Sequence, residues 1–536
     1  MRNIFTQTTS QDVKDKKALY ALTAYAIILL FFVSPDSFTH DIFNCCDTPI
    51  FFMCGKAWMN GMIPYVDFAD SKGPLLWLIQ GIGYLISHHT YVGVWLLSCI
   101  SYAIVFWYSY KLAKLFLSSH YLALLSSIIM GAVYFNPWYH YEIKAEDWCQ
   151  PFIIIALYSL CKYFYFNEKS GNKSLYKTAY IVGVCWAGPL LIKYSISVMM
   201  GIFLIHLLFF LIIQKKQIII PGLLFFVGAL SLFAPFAIYF CIIGNFNAFI
   251  QEYFLTTFKT IGESNTITNY THEILLTIAD PRYAIMFFST ALGCMGFAHS
   301  VSRFKYFPLI SFCFFWAISI HHLTSYYYLT SNFSFAIFPV IICVRKLSQL
   351  RLQLYNSKKI LLYSTVFIIT FLAIWNNTFT NGYLVINMFS LNNSYRQSYY
   401  KAASVLSQVN KPKILYLDCS VHGWETPVEG LPGSKYYFTQ YGETKEMRSR
   451  KFQDIRNQLP DFICMEEAIQ KKDAINIIKE TGYHLCYDFH WWHHHFFFYT
   501  KHHNIKLPKD YIPISNWDIL LKKKVIPERT CTSGKR

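Results

Sequence analysis

Residues 74–86 read Pro-Leu-Leu-Trp-Leu-Ile-Gln-Gly-Ile-Gly-Tyr-Leu-Ile. Whether this run crosses a bilayer decides on which side every later loop lies. It is apolar but short. A helix of this length reaches roughly 20 Å at about 1.5 Å per residue, against about 30 Å of hydrocarbon. Taken alone it reads equally as a span or as a helix lying in the interface. Longer apolar runs flank it, near 19–33, 91–110, 118–136, 149–166, 178–194, 195–213, 218–243, 283–299, 306–320, 325–344 and 360–376. The chain is 54% hydrophobic, 19% aromatic and only 14% charged, where soluble domains are about 25% charged. That composition excludes a disordered chain, a coiled coil, a disulfide miniprotein and an ordinary soluble enzyme.

Charge settles the short run. Lys14, Lys16 and Lys17 precede the first span, and no small-residue cleavage site follows it, so it reads as a retained signal anchor with a cytoplasmic N-terminus. If 74–86 is interfacial, residues 1–376 place 19 Lys and Arg in inner segments and 6 in outer ones. A full crossing would invert that bias and violate the positive-inside rule. The expected fold is therefore an all-α polytopic membrane domain over 1–376, with about eleven transmembrane helices and interfacial helices in a first outer loop at 35–90. The formal charge of +17 is mostly a topology signal and calls for no nucleic acid.

The same parity puts 377–536 on the extracytoplasmic side. This segment is more charged, with strand-like patches at 413–417 and 461–464 and helical spacing at 396–409 and 466–480. Strands alternating with helices predict a small C-terminal α/β domain. The 15 cysteines are scattered without CxxC or zinc-type spacing and read as small apolar residues.

Carboxylates avoid the spans and gather in two outer loops. The first holds Asp47, Asp67 and Asp70; the second, 137–148, holds Glu142, Glu146 and Asp147. A carboxylate can accept the proton of an attacking hydroxyl or amine. Solvated or lysine-paired carboxylates are the plainer reading of charge alone, with Lys56, Lys72 and Lys144 nearby. Coupled transporters place ionisable groups at the bilayer midplane, which this chain does not.

The pattern Asp47, Gly55, Gly61, Pro64-Tyr65, Asp67, Asp70, Lys72-Gly73-Pro74-Leu75 resembles the first extracytoplasmic loop of the GT-C glycosyltransferases. It is most similar to bacterial members related to the protein O-mannosyltransferase and aminoarabinose-transferase group. The likeness extends loosely over the many spans, the acidic second loop and the outer C-terminal domain. It implies an integral-membrane enzyme that transfers a hexosyl or pentosyl unit from a polyprenyl-phosphate donor to a glycan, glycolipid or protein acceptor. Asp47 maps to the general base. An anionic leaving group also needs positive charge beside it: Lys72 first, then Lys193, with His321 and His322 as further donor-facing groups. Ser71 stands where relatives often carry His, which weakens any His-dependent contact there. Asp67, Asp70, Glu146 and Asp147 are supporting acids. Glu146 and Asp147 are the candidates for a divalent metal ion, and no other cofactor is implied. The resemblance places the chain in a bacterial inner membrane. A multi-span transporter or flippase, or a lipid-linked polysaccharide polymerase or ligase, is the alternative.

The segment 489–503 carries His490, His493, His494, His495, His502 and His503. Such density suggests zinc or copper. Neighbouring strand residues point to opposite faces, however, so an aromatic-rich strand followed by a basic turn is the plainer expectation.

Overall fold

The computed structural model describes residues 2–34, 36–37, 47–136, 143–167, 171–256, 267–299, 301, 304–320, 326–349, 394–438, 443–491 and 494–508. It divides into two compact units, Met1–Leu391 and Asn392–Arg536. The boundary at 376/377 expected from composition lies outside the described residues.

The first unit is helical. Its elements are α1 (Arg2–Val33), α2 (Asp47–Met59), α3 (Pro74–Ile86), α4 (Val92–Phe116), α5 (His120–Tyr134) and α6 (Ala145–Lys162), the last running on into a π-turn. Then come α7 (Asn172–Leu190), α8 (Tyr194–Ile213), α9 (Ile219–Ile242), α10 (Ile267–Ala279), α11 (Pro281–Ala298) and α12 (Phe307–Ser319). A 3-10 segment, Tyr326–Ala336, leads into α13 (Ile337–Gln349).

Six stretches are long and apolar enough to cross a membrane: Asp12–Val33, Val92–Phe116, Ala145–Phe166, Tyr194–Ile213, Ile219–Ile242 and Tyr328–Lys346. The chain is a multi-pass membrane protein. Ten of the eleven expected runs coincide with helices, and the eleventh, 360–376, lies outside the described residues. The count of full spans is lower by this measure because α5 and α12 are short, and because α7 and α11, though long enough, are not among the six stretches apolar enough to cross. α3 is short as well, too short to cross about 30 Å of hydrocarbon unaided.

Lipid and protein faces separate cleanly. On α8 and α9 large apolar side chains such as Ile205, Phe209, Leu223, Phe226 and Ile242 are more than half exposed, a surface tolerable only against lipid. Between helices the contacts use small residues. A Cβ on Gly183 of α7 would lie 1.9 Å from the Phe225 carbonyl oxygen of α9, and one on Gly228 would lie 2.2 Å from that of Tyr180. With lipid as the solvent, such close backbone packing replaces the hydrophobic drive that holds helices together in water.

The second unit is α/β. Its strands are β1 (Lys413–Tyr416), β2 (Leu431–Pro432), β3 (Phe462–Glu466), β4 (His484–Trp491) and β5 (His494–Thr500), and its helices are α14 (Ser394–Leu406), α15 (Lys445–Arg456) and α16 (Lys472–Glu480). The sheet order is β2-β1-β3-β5-β4. β1 pairs in parallel with β2 and β3, while β5 is antiparallel to β3 and β4. One core joins Leu415, Leu417, Ile455, Ile463, Met465, Ala474, Ile477 and Ile478. The expected helix at 466–480 starts later because Glu466 still belongs to β3.

The histidine-rich segment forms the β4–β5 hairpin. His490 faces His495 across the strands, with ring centroids 4.5 Å apart. His494 and His495 diverge, as alternation requires. His494 Nδ1 lies 2.6 Å from Glu466 Oε1, whereas His495 Nδ1 lies 3.0 Å from Glu467 Oε2. Among the described residues no three His, Cys, Asp or Glu side chains gather to hold a metal. His493 lies outside those residues.

Candidate active site

Asp47 opens α2, where a carboxylate is favoured by the helix N-terminus. Its neighbour Thr48 is buried and donates from Oγ1 to the Ile143 carbonyl at 3.3 Å, tying α2 to the segment ahead of α6. That tie brings Lys144 Nζ to 3.6 Å from Asp47 Oδ2. The Asp47 side chain remains 30% exposed.

α6 sorts its acids by face. Asp147 caps the helix, accepting from the Lys144 backbone N–H at 2.8 Å and from the Tyr102 hydroxyl of α4 at 2.6 Å. Glu146 turns the other way and pairs with Lys193. Four residues on, and so on the same face, Gln150 donates to the Thr330 carbonyl at 2.7 Å and accepts from Ser334 Oγ at 2.9 Å. These bonds hold the 3-10 segment against α6. Tyr328, at the start of that segment, presents its ring 3.8 Å from Lys193 Nζ.

The rest of the first loop folds back on itself. Asp67 Oδ2 accepts from the Ile63 N–H at 2.6 Å and Tyr65 N donates to the Phe68 carbonyl at 2.7 Å, closing a turn in which Tyr65 takes φ 66°. The buried Tyr65 hydroxyl donates to the Lys72 carbonyl at 3.1 Å. Gly73 N then donates to the Ile192 carbonyl at 2.9 Å, and Leu75 N to that of Leu191 at 3.0 Å. Only glycine fits here, because a Cβ on residue 73 would lie 2.1 Å from the Leu191 oxygen. This backbone hook sets Lys72 and Lys193, the residues flanking the two pairings, at one end of the bundle.

Burial works to lower the basicity of Lys72, but the carboxylates of Asp70, Asp47 and Glu146 outweigh it and hold the ammonium above its ordinary range. Lys72 Nζ donates to Ser71 Oγ at 3.0 Å and lies 5.6 Å from the Phe51 ring. Asp70 Oδ1 accepts from the Ser71 N–H at 2.6 Å, and its buried Oδ2 has no hydrogen-bond partner among the described residues. The arrangement places an accessible carboxylate and two lysines within one polar cluster. It can take a proton on one side and neutralise a leaving anion on the other.

Of the residues singled out in the sequence, Asp47, Asp70, Lys72, Glu146 and Lys193 are drawn together. Asp147 supports the cluster through Lys144 and Tyr102. Asp67 serves its own turn instead. His321 and His322 lie outside the described residues. A metal would have to displace Lys193 from Glu146, or Tyr102 and the Lys144 N–H from Asp147. Tyr102 and Gln150 did not stand out in the sequence. Their signal was a polar group inside an apolar run.

Residues 71–239 match the family model described as dolichyl-phosphate-mannose-protein mannosyltransferase. No curated protein sequence matches the chain. Among solved structures, ArnT from Cupriavidus metallidurans in the apo state is similar at a TM-score of 0.58 and 10% identity, over 91% of this chain and 99% of that one. The same protein bound to undecaprenyl phosphate is similar at a TM-score of 0.53 and 9% identity, over the same shares. The fold is that of the GT-C glycosyltransferases.

Proposed function

We propose that this GT-C-fold membrane protein is a glycosyltransferase. It moves a hexosyl or pentosyl unit from a polyprenyl-phosphate carrier to a cell-surface glycan, glycolipid or protein, on the extracytoplasmic face of a bacterial inner membrane. The acceptor O–H or N–H attacks the anomeric carbon, and its proton passes to an Asp47 carboxylate oxygen. The bond from the anomeric carbon to the phosphate oxygen breaks, and its electron pair stays on that oxygen. Lys72 and Lys193 stabilise the charge that develops there. Asp147 acts as a positioning residue, through Lys144 to Asp47. The segment 377–536 is a separate extracytoplasmic domain.

The observation that carries this reading is the convergence of Asp47 with Lys72 and Lys193, delivered by the Gly73–Ile192 hook. The family match over 71–239 supports the reaction class. The undecaprenyl phosphate in the ArnT structure supports the carrier. In membranes supplied with labelled polyprenyl-phosphate sugars, Asp47→Asn preserves shape and should lower transfer by about 10²–10⁴-fold, the usual worth of a general base. Transfer at the wild-type rate by a normally inserted variant would remove Asp47 from that role.

A further inference from the structure

The end of the helical unit remote from Asp47 holds a second cationic cluster. α6 carries Lys144 just before its first turn and Lys162 in its last, so about 26 Å of helix separates the two ends. That is close to one hydrocarbon thickness. Beside Lys162, α4 brings Lys111, whose Nζ lies 5.2 Å from the Trp107 ring, 5.3 Å from Tyr108 and 5.7 Å from Tyr158. Lys162 Nζ lies 5.8 Å from the same Tyr158 ring. Tyr108 and Tyr158 meet edge-on at 5.5 Å. The charges of Lys162, Lys114 and Lys177 act on Lys111, and among the described residues Asp15 is the acid that opposes them.

Asp15 is already taken. Lys114 Nζ donates to both of its oxygens, at 2.5 and 2.7 Å, and the Tyr110 hydroxyl donates to it at 2.7 Å. Among the described residues Lys111, Lys162 and Lys177 have no carboxylate partner, and the Tyr108 and Tyr158 hydroxyls have no protein acceptor. Lys111 and Lys162 thus converge on the Tyr108–Tyr158 pair, with the charge of Lys177 also acting on Lys111 and with no acceptor among the described residues, and Lys111 is partly withdrawn from water. Bringing like charges together in that way is unfavourable unless an anion joins them. Tyr and Trp are enriched at membrane–water interfaces, and a cluster about one hydrocarbon thickness along α6 from Lys144 is expected at the level of headgroup phosphates.

We infer that Lys111, Lys162 and Lys177, with Tyr108 and Tyr158, bind the phosphate diester of an anionic phospholipid in the leaflet opposite the candidate active site. Its hydrocarbon tails would lie along α4 and α6. The inference requires only that the chain be embedded in a bilayer, and does not rest on the transfer reaction.

The test is lipid retention. Full-length protein is reconstituted in phosphatidylcholine vesicles containing phosphatidylglycerol as a minor component, extracted in mild detergent and weighed by native mass spectrometry. Wild type should retain phosphatidylglycerol in preference to phosphatidylcholine. Lys111→Gln, Lys162→Gln and Lys177→Gln should each lower that retention about fivefold, the usual effect of one lysine at an anionic surface. The corresponding Arg variants should keep it. Lys305, another lysine over an aromatic ring, is the control, and Lys305→Gln should leave retention unchanged. Equal retention by the triple Gln variant, or by Lys162→Gln alone should the triple variant not insert, overturns the inference. So does equal retention of phosphatidylcholine by wild type. Displacement of the lipid by inorganic phosphate would assign the cluster to free phosphate instead.

Discussion

Replacing Gly73 by Ala tests whether the hook between the first loop and the α7–α8 turn assembles the site. The new Cβ would lie 2.1 Å from the Leu191 oxygen and 2.4 Å from its carbonyl carbon. Both are backbone atoms, so no rotamer change relieves the overlap, and the strands of the hook must part by about 1 Å or more. The bonds from Gly73 N at 2.9 Å and Leu75 N at 3.0 Å would then be lost or badly stretched. At about 1 kcal/mol net for each bond, the local cost is about 2 kcal/mol. The larger effect falls on geometry. Lys72 moves relative to Lys193, and a displacement of about 1 Å in a reacting constellation costs about 10²-fold in rate. The assay is the initial rate of transfer from a labelled polyprenyl-phosphate sugar, normalised to inserted protein. Gly61→Ala is the control. Gly61 has φ +87°, but a Cβ added there would meet nothing within 4 Å. The substitution therefore costs about 1–2 kcal/mol of backbone strain and should leave the rate within a few-fold of wild type. Wild-type transfer by Gly73→Ala, or an equal loss in Gly61→Ala, would refute the reasoning.

Other perturbations separate charge from packing. Lys193→Met leaves Glu146, 2% exposed, without its ammonium and should cost about 3–5 kcal/mol; thermal unfolding in detergent reads this, and adding Glu146→Gln should restore stability but not transfer. In the second unit Arg448 bridges Asp418, Glu443 and Asp473 at 2.7–3.2 Å, so Arg448→Met should cost a similar amount, seen as faster proteolysis within 392–536; unchanged resistance would show the cluster to be energetically idle. Burial, with a smaller push from His494, holds His422 down to about 3 from an ordinary 6.5. Between those values the unfolded chain binds a proton that the folded one does not, so stability rises with pH across the window and is lost on acidification. Urea unfolding followed by tryptophan fluorescence at pH 4 and pH 7 should show this, and His422→Gln should flatten it.

Part of the candidate cluster was legible in the residues. Charge in the outer loops drew attention to the acids and lysines there, and it was the resemblance of the first loop to the GT-C pattern that singled out Asp47 and Lys72. Their partners were not legible. Nothing in a linear pattern says that Lys193 answers Glu146, or that Asp147 spends its oxygens on Tyr102 and a helix cap while its neighbour faces the cluster. The histidine-rich hairpin shows the converse: alternation alone foretold that His494 and His495 would diverge, and they do.

Hydrophobic runs were sufficient, on their own, to specify a multi-pass helical protein, because burial in lipid is a local property of each run, and the alternation of strand-like with helical patches marked the α/β segment after it. Which helices touch depends on contacts between residues far apart in the chain. The glycine-lined approach of α7 to α9, the Gly73–Ile192 hook and the cation–aromatic cluster at the far end each need two or more segments at once, so only the tertiary structure could decide them.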